Sequence, residues 1–366
     1  MLDQGKITSF QLGILMYPGV LASGFLVLPS ATYQLAKNDL WLTLLPGLLV
    51  ALIAVYTATR LHELYPKQTI VQYGERIVGK IPGKLLAIVY ITYNLHAAGG
   101  VTRQYAEFIV GNFLTKTPIA LIMASMLLLC AVAVYRGAEL LVRGAVIFFP
   151  LIVVPILFLL FLIPDLDFQN IFPILSHGIT PVAKGALPMM GWCDEMFMMS
   201  FFLPCVTDPE KARKYGVLTA IGVAVFLTFA NLIALLLLGE DLGNKIYPLL
   251  MAFRYINIGH FLENLEALVL AMWVIGHFLQ VGVFLYGAVL SFAHCFQLSD
   301  YRPIVFPIGL LCLAIGFWGV PNYSSFTAMV RSAVPFHIMS VYLVIPLLLL
   351  AVALIRKRKN PGGSPP

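Results

Sequence analysis

The stretch GALPMMGWCDEMFMMSFFLPCVT, Gly185 to Thr207, decides the reading of this chain. It is long enough to cross a bilayer, and its only charges are the adjacent acids Asp194 and Glu195. An ionised carboxylate at the centre of a membrane helix costs about 2.5 to 3.5 kcal/mol on insertion scales, so such groups need partners, water or a proton. Gly191, Pro188 and Pro204 flank the acids, and a helix broken there would free backbone groups to bind something.

Working outward, the rest of the chain supplies the membrane context. Of 366 residues, 60% are hydrophobic and 11% charged, and the mean hydropathy is +0.91. A soluble domain carries about a quarter charged residues, so the class is integral membrane protein. Charge-free runs at Ile7–Ala36, Leu40–Thr59, Leu85–Thr102, Thr117–Tyr135, Gly144–Pro164, Tyr215–Gly239, Ala267–Ser299, Pro303–Val330 and Ser332–Ile355 join the quoted segment to give ten predicted spans. With ten spans and both termini cytoplasmic, sixteen of the 23 Lys and Arg residues fall inside, as the positive-inside rule requires. The net charge of +6 is thereby explained without nucleic acid. The first apolar run is too long, and lacks a small-residue cleavage motif, for a cleavable signal. The five cysteines, Cys130, Cys193, Cys205, Cys295 and Cys312, have no spacing that suggests disulfides or metal.

The chain reads as one all-α membrane domain, residues 1–359, with a disordered tail at 360–366. Repeat 1 covers about 7–164 and repeat 2 about 181–356. Residues 63–82 are expected to form an interfacial connection, 164–184 an ordered outer loop, and 240–262 a partly helical one. Span 1 carries Pro18, Gly19, Ala22, Ser23, Gly24 and Pro29, and so is expected to break as span 6 does. These are the first helices of the two halves, and paired breaks in corresponding helices point to a central site of transporter type.

Ala22, Ser23 and Gly24 are candidate ligand-binding residues, because an unwound stretch there would expose N–H groups suited to a carboxylate. Trp192, Cys193, Asp194 and Glu195 would suit an ammonium group, a cation or a proton. Two close carboxylates rarely both ionise, so one is expected to be protonated or paired, with Arg103 and Arg143 as possible internal bases. In span 8, Glu263, Glu266, Trp273, His277 and Gln280 form a polar stripe at helical spacing, with Tyr286 deeper. Tyr93 and Asn94 lie near mid-span 3, within reach of a ligand. Arg103 and Glu107 form an i,i+4 pair. Arg143 is an anchor or a fixed cation beneath the broken helices, and Glu195, Asp194, His277 and Arg143 are the proton or gating candidates. Each has a packing alternative: small residues let helices approach, and a buried histidine is as readily a hydrogen-bonded core residue. No nucleotide, metallopeptidase, hydrolase or paired-cysteine motif occurs, so no enzyme, cofactor or metal is expected.

The chain resembles the permease-like B subunits of bacterial spore germinant receptors, within the amino acid–polyamine–organocation superfamily. The resemblance spans nearly the whole chain. It rests on LASGFLVLP at 21–29, FPILSHGI at 172–179 leading into Lys184-Gly185-Ala186, Glu195 nine residues before Pro204, and DPEKARK at 208–214. It implies a LeuT-like pair of inverted five-helix repeats with a pocket between spans 1, 3, 6 and 8. It also implies a nutrient sensor, acting with A and C subunits in the spore inner membrane. Two positions depart from the pattern: Ala22 where the family often has glycine, and Asp194 where glycine often precedes the glutamate. Three activities fit the sequence: a receptor subunit for an amino acid or similar nutrient, a proton-coupled amino acid transporter, and a ligand-gated ion or water conduit.

Overall fold

The computed structural model describes residues 2–3, 5–256, 265–319 and 328–359. The expected tail at 360–366 and Glu263 of the span 8 stripe lie outside the described residues. The described chain is helical throughout, with one isolated bridge between Ile7 and Val206.

The first half contains α1 (Ser9–Ala36), α2 (Leu44–Leu64), the short α3 (Ile70–Val78), α4 (Lys80–Asn112), α5 (Ile119–Arg136) and α6 (Ala138–Leu157). The second contains α7 (Ile179–Asp194), α8 (Ala212–Leu238), the short α9 (Pro248–Tyr255), α10 (Glu266–Cys295), α11 (Arg302–Gly319), α12 (Ala333–Met339) and α13 (Ile345–Lys359). Among the described residues eight helical stretches are long and apolar enough to cross a membrane; the first, Ser9–Leu64, holds both α1 and α2. The interrupted segment of α7 runs through the bundle in addition to these eight.

Burial sorts the helices. Almost every residue of α1 from Leu12 to Tyr33 is buried, and α1 packs against α6, α7, α8 and α10. The outermost helices present leucine-rich faces instead: Leu121, Leu128, Leu129 and Val132 of α5 are exposed at helical spacing. Apolar side chains on that outer surface face acyl chains, so the hydrophobic effect does not drive the helices together; close packing and internal hydrogen bonds hold the bundle.

The two first helices behave differently. Span 6 changes geometry at the acids: α7 ends at Asp194, and a 3-10 helix runs from Glu195 to Phe201, followed by a 3-10 turn at Leu203–Cys205. Span 1 does not unwind as expected. Its α-helix is continuous from Ser9 to Ala36, with Pro18 and Pro29 inside it. Side-chain amides from α4 and α10 also bond the backbone at Ser23 within that continuous helix. The last span is interrupted too, by a π turn at Ser340–Val344 between α12 and α13.

Loops are tied down by specific bonds. The loop after α6 contains a cis Phe172–Pro173 peptide. The Asn38 amide donates to the carbonyls of Ile171 (2.9 Å) and Pro173 (2.8 Å), and the buried Asp39 carboxylate accepts from the Leu175 N–H. At the opposite end, the segment before α1 is stitched to the stretch after the span 6 break. Ile7 donates to the Cys205 carbonyl (3.1 Å), Thr207 donates to Ile7 (2.9 Å), and the Ser9 N–H donates to Asp208 Oδ1 (2.7 Å). Asp3 reaches farther: Oδ2 accepts from the Ala138 N–H at the start of α6 (2.8 Å) and from the Tyr286 hydroxyl (3.1 Å). That carboxylate sits where a helix N-terminus leaves donors unpaired.

Candidate ligand site

The site is built around Ser23. Its backbone N–H donates to Gln280 Oε1 (3.0 Å), and its carbonyl accepts from Gln104 Nε2 (2.9 Å). Its hydroxyl oxygen accepts from Trp192 Nε1 (2.9 Å) and from Gln280 Nε2 (2.8 Å). The same Gln280 amide nitrogen donates to Glu195 Oε2 (3.1 Å). One serine and one glutamine thus join α1, α4, α7 and α10 at a single level. Every member is buried, where hydrogen bonds are strong and an unpaired group is costly.

Beside this network lies a cavity of about 170 Å³. Ser23, Glu195, Trp192, Gln104 and Phe284 line its inner part, and Tyr93, His96, Ala97, Gly100 and Val101 form its α4 wall. Ile315 and Gly319 of α11, Met329, and Val334, His337 and Ile338 of α12 complete it. Among the described residues the lining holds one carboxylate, no lysine and no arginine, and is otherwise mostly apolar. Small ligands bind in such places: apolar concavities with a few fixed polar groups.

Of the residues singled out from the sequence, Ser23, Tyr93, Trp192 and Glu195 share this cavity. Gly24 lies behind it. A Cβ there would stand 2.9 Å from the Trp192 ring, so glycine is what lets the indole lie against α1. Ala22 points the other way, toward Gly276 of α10. Cys193 faces Gly47 of α2.

Asn94 is buried one layer deeper. Its amide donates to the Tyr90 carbonyl (2.8 Å), and its carbonyl accepts from the Tyr342 hydroxyl (3.0 Å). Tyr342 sits on the π turn, whose Val341 carbonyl accepts from the Tyr90 hydroxyl (2.9 Å). Trp273 and His277 pack on each other with ring centroids 3.9 Å apart and their planes tilted by 41°. His277 Nδ1 bonds the Trp273 carbonyl (3.0 Å), and its buried Nε2 has no hydrogen-bond partner among the described residues. Arg143 lies away from the site, 65% exposed and ion-paired with Glu139, so it does not pack beneath the two first helices. Arg103 pairs with Glu107 at 2.6 Å as the i,i+4 spacing predicts. Neither arginine reaches the two acids.

Asp194 and Glu195 therefore part company. Glu195 lines the cavity and has Gln280. Asp194 is fully buried, outside the cavity lining, and neither carboxylate oxygen has a hydrogen-bond partner among the described residues. A regular helix turns adjacent side chains about 100° apart, which puts the two acids on different faces.

Several lining residues were not singled out as site candidates from the sequence. Gln104 continues the α4 face of Tyr93, Ala97 and Gly100 at helical spacing, so that periodicity was available to find it. His337 and Phe284 carried no local signal.

Comparisons with known proteins agree with this architecture. The family model described as "Spore germination protein" matches residues 6–324. Spore germination protein KB of Bacillus subtilis (strain 168) is 25% identical over 98% of this chain and 97% of its own length. Spore germination protein YndE of the same organism is 28% identical over 96% and 98%. Among solved structures, the nucleobase-cation-symport-1 family transporter MHP1, with bromovinylhydantoin bound, superposes with a TM-score of 0.75 at 10% identity, covering 97% of this chain and 80% of that one. MhsT in complex with L-phenylalanine gives 0.67 at 14% identity, over 96% and 99%. At such identities the structural likeness speaks for the fold alone, and that fold is the LeuT-like one of membrane transporters. By sequence, this multi-pass membrane protein belongs to the spore germination protein family.

Proposed function

We propose that this chain is the ligand-binding membrane subunit of a germinant receptor. It takes a small amino acid or similar nutrient in the cavity beside Ser23 and Glu195. The observation that carries this reading is the lone carboxylate, among the described residues, in a largely apolar cavity whose described lining has no lysine or arginine. Such a pocket suits an ammonium group at Glu195 and an apolar body between Phe284, Val101 and Ile338. Ligand contacts that differ between two arrangements of the bundle then shift the balance between them, and the shift is passed to partner subunits. The partners are the A and C subunits of the receptor, and the location is the spore inner membrane. The topology is ten spans in two repeats, about 7–164 and 181–356, with both termini cytoplasmic.

Glu195→Gln tests the site. Removing the charge from one partner of a buried, charge-assisted pair costs about 1.5 to 3 kcal/mol, or roughly ten- to a hundredfold in affinity. Nutrient-triggered germination of spores carrying this variant should shift to correspondingly higher nutrient concentration. An unchanged dose response would remove Glu195 from the ligand site.

A second reading, proton-coupled amino acid uptake, draws on Asp194, a carboxyl buried without a partner among the described residues and adjacent in sequence to Glu195. Reconstituted protein distinguishes the two. Uptake driven by a pH gradient supports transport; binding without uptake supports sensing.

A further inference from the structure

A second concavity lies at the end of the bundle where α4 begins, and its lining shares no residue with the cavity beside Ser23. This cleft holds about 710 Å³ and is lined mainly by polar groups: Gln72, Glu75 and Arg76 of α3, Lys80 of α4, His294 of α10 and Gln297 just after it. Its walls are fixed to one another. The Lys84 ammonium donates to the Cys295 carbonyl (3.2 Å) and ties α4 to the end of α10. Glycine at position 83 lets α4 close on α3, since a Cβ there would stand 2.4 Å from the Glu75 Cα. Gln72 Oε1 accepts from the Thr69 N–H (3.1 Å), which leaves the Gln72 amide N–H groups to be given elsewhere.

Charge and depth both bear on what such a cleft can hold. Arg76, Lys80 and Glu75 take part in none of the ion pairs found among the described residues, so two free cations face one carboxylate. Lys80 stands a little more than one helical turn before the charge-free run 85–102, which is the level of lipid headgroups. Helix α3 turns Ile70, Val71, Tyr73 and Ile77 inward and leaves Arg76 exposed, the pattern of a helix lying along a membrane surface. Apolar side chains flank the cleft on the outside. Ile81 and Leu85, which follow Lys80 on α4, are 77% and 62% exposed, and Phe296, which precedes Gln297, is 59% exposed. A free anion gains nothing from these residues, whereas acyl chains do.

We propose that this cleft binds the headgroup of an anionic phospholipid. Arg76 and Lys80 hold the phosphate, Gln72 and Gln297 donate to its remaining oxygens, and Glu75 accepts from a headgroup hydroxyl such as phosphatidylglycerol offers. The acyl chains run along Ile81, Leu85 and Phe296. Basic clefts between helices at headgroup level draw anionic lipids in this way. A lipid held there bridges α3, α4 and the end of α10. The site does not depend on what the cavity beside Ser23 binds.

The experiment titrates the full chain, purified in detergent, with phosphatidylglycerol or with phosphatidylcholine of the same acyl chains, read by native mass spectrometry. The first phosphatidylglycerol should bind about tenfold tighter than phosphatidylcholine. Arg76→Gln with Lys80→Gln should remove that preference, whereas Arg76→Lys with Lys80→Arg, which keeps both charges, should retain most of it. Both side chains are exposed, so the melting temperature of either double variant in phosphatidylcholine nanodiscs should match wild type. Equal binding of the two lipids in wild type, or a preference that survives the glutamine pair, overturns the site. Displacement of phosphatidylglycerol by millimolar inorganic phosphate would assign the two cations to a free anion and overturn the lipid.

Discussion

The helices that open the two halves of this protein solve one problem in opposite ways. Both carry prolines, glycines and polar residues at mid-bundle. Helix α1 stays regular, and Gln280 and Gln104 reach across from other helices to bond the Ser23 backbone. The segment that begins with α7 gives way to a 3-10 helix at Glu195, within a stretch holding the two acids. Polar backbone inside a membrane must be satisfied, and it is satisfied here within a continuous α-helix supplemented by side-chain bonds in one half and through a change of helix type in the other. A sequence full of helix breakers therefore marks where a break can occur; the neighbours decide whether it does.

Gln280→Leu should break that contrast most. It removes the acceptor for the Ser23 N–H and the donor to both Ser23 Oγ and Glu195, leaving buried groups unpaired. About 3 kcal/mol of stability should be lost. Thermal unfolding in nanodiscs would show it, and a melting temperature indistinguishable from wild type would mean that α1 holds its form unaided.

Gly24→Ala sharpens the comparison from the other side. A methyl group 2.9 Å from the Trp192 ring forces the indole off α1 and weakens its bond to Ser23. The cost should be about 1 to 3 kcal/mol. Tryptophan fluorescence should shift as the ring moves; an unmoved spectrum would show that Leu28, also 2.9 Å away, gives instead.

Asp194→Asn should have the smallest effect, and in the opposite direction. It replaces a carboxyl that has no partner among the described residues, so stability should hold or rise by up to about 1 kcal/mol. A marked loss would reveal a partner for Asp194 that the bundle acquires in another arrangement.

Much of this was legible in the sequence, and the limits have physical reasons. Span positions, the short helix α3 within the 63–82 connection and the switch at Asp194 follow from local composition, because hydrocarbon punishes charge and irregular backbone wherever they occur. Glu195, Ser23, Trp192 and Tyr93 could be named because each is a polar or aromatic residue at bundle depth. The persistence of α1 could not be read. The Ser23 backbone there is bonded by Gln280, 257 residues away, and no local pattern reports on such a pairing. The same holds for His337, which becomes a cavity residue only because α12 folds over Tyr93. Asp194 and Glu195 looked equivalent as neighbours in the chain, and their different surroundings emerge only once the helix assigns them separate faces.

The π turn at Ser340–Val344 has a consequence for register. A π turn closes its hydrogen bonds one residue farther along than an α turn, so the last span carries one residue more than a straight helix would need. Shortening that turn by one residue would let α12 and α13 run as a single helix. It would also rotate everything before it by about 100°. His337, Ile338 and Val334 would then swing off the cavity together, while Tyr342 could no longer meet Asn94. The spare residue acts as an indexing tooth, setting which face of the last span the pocket sees.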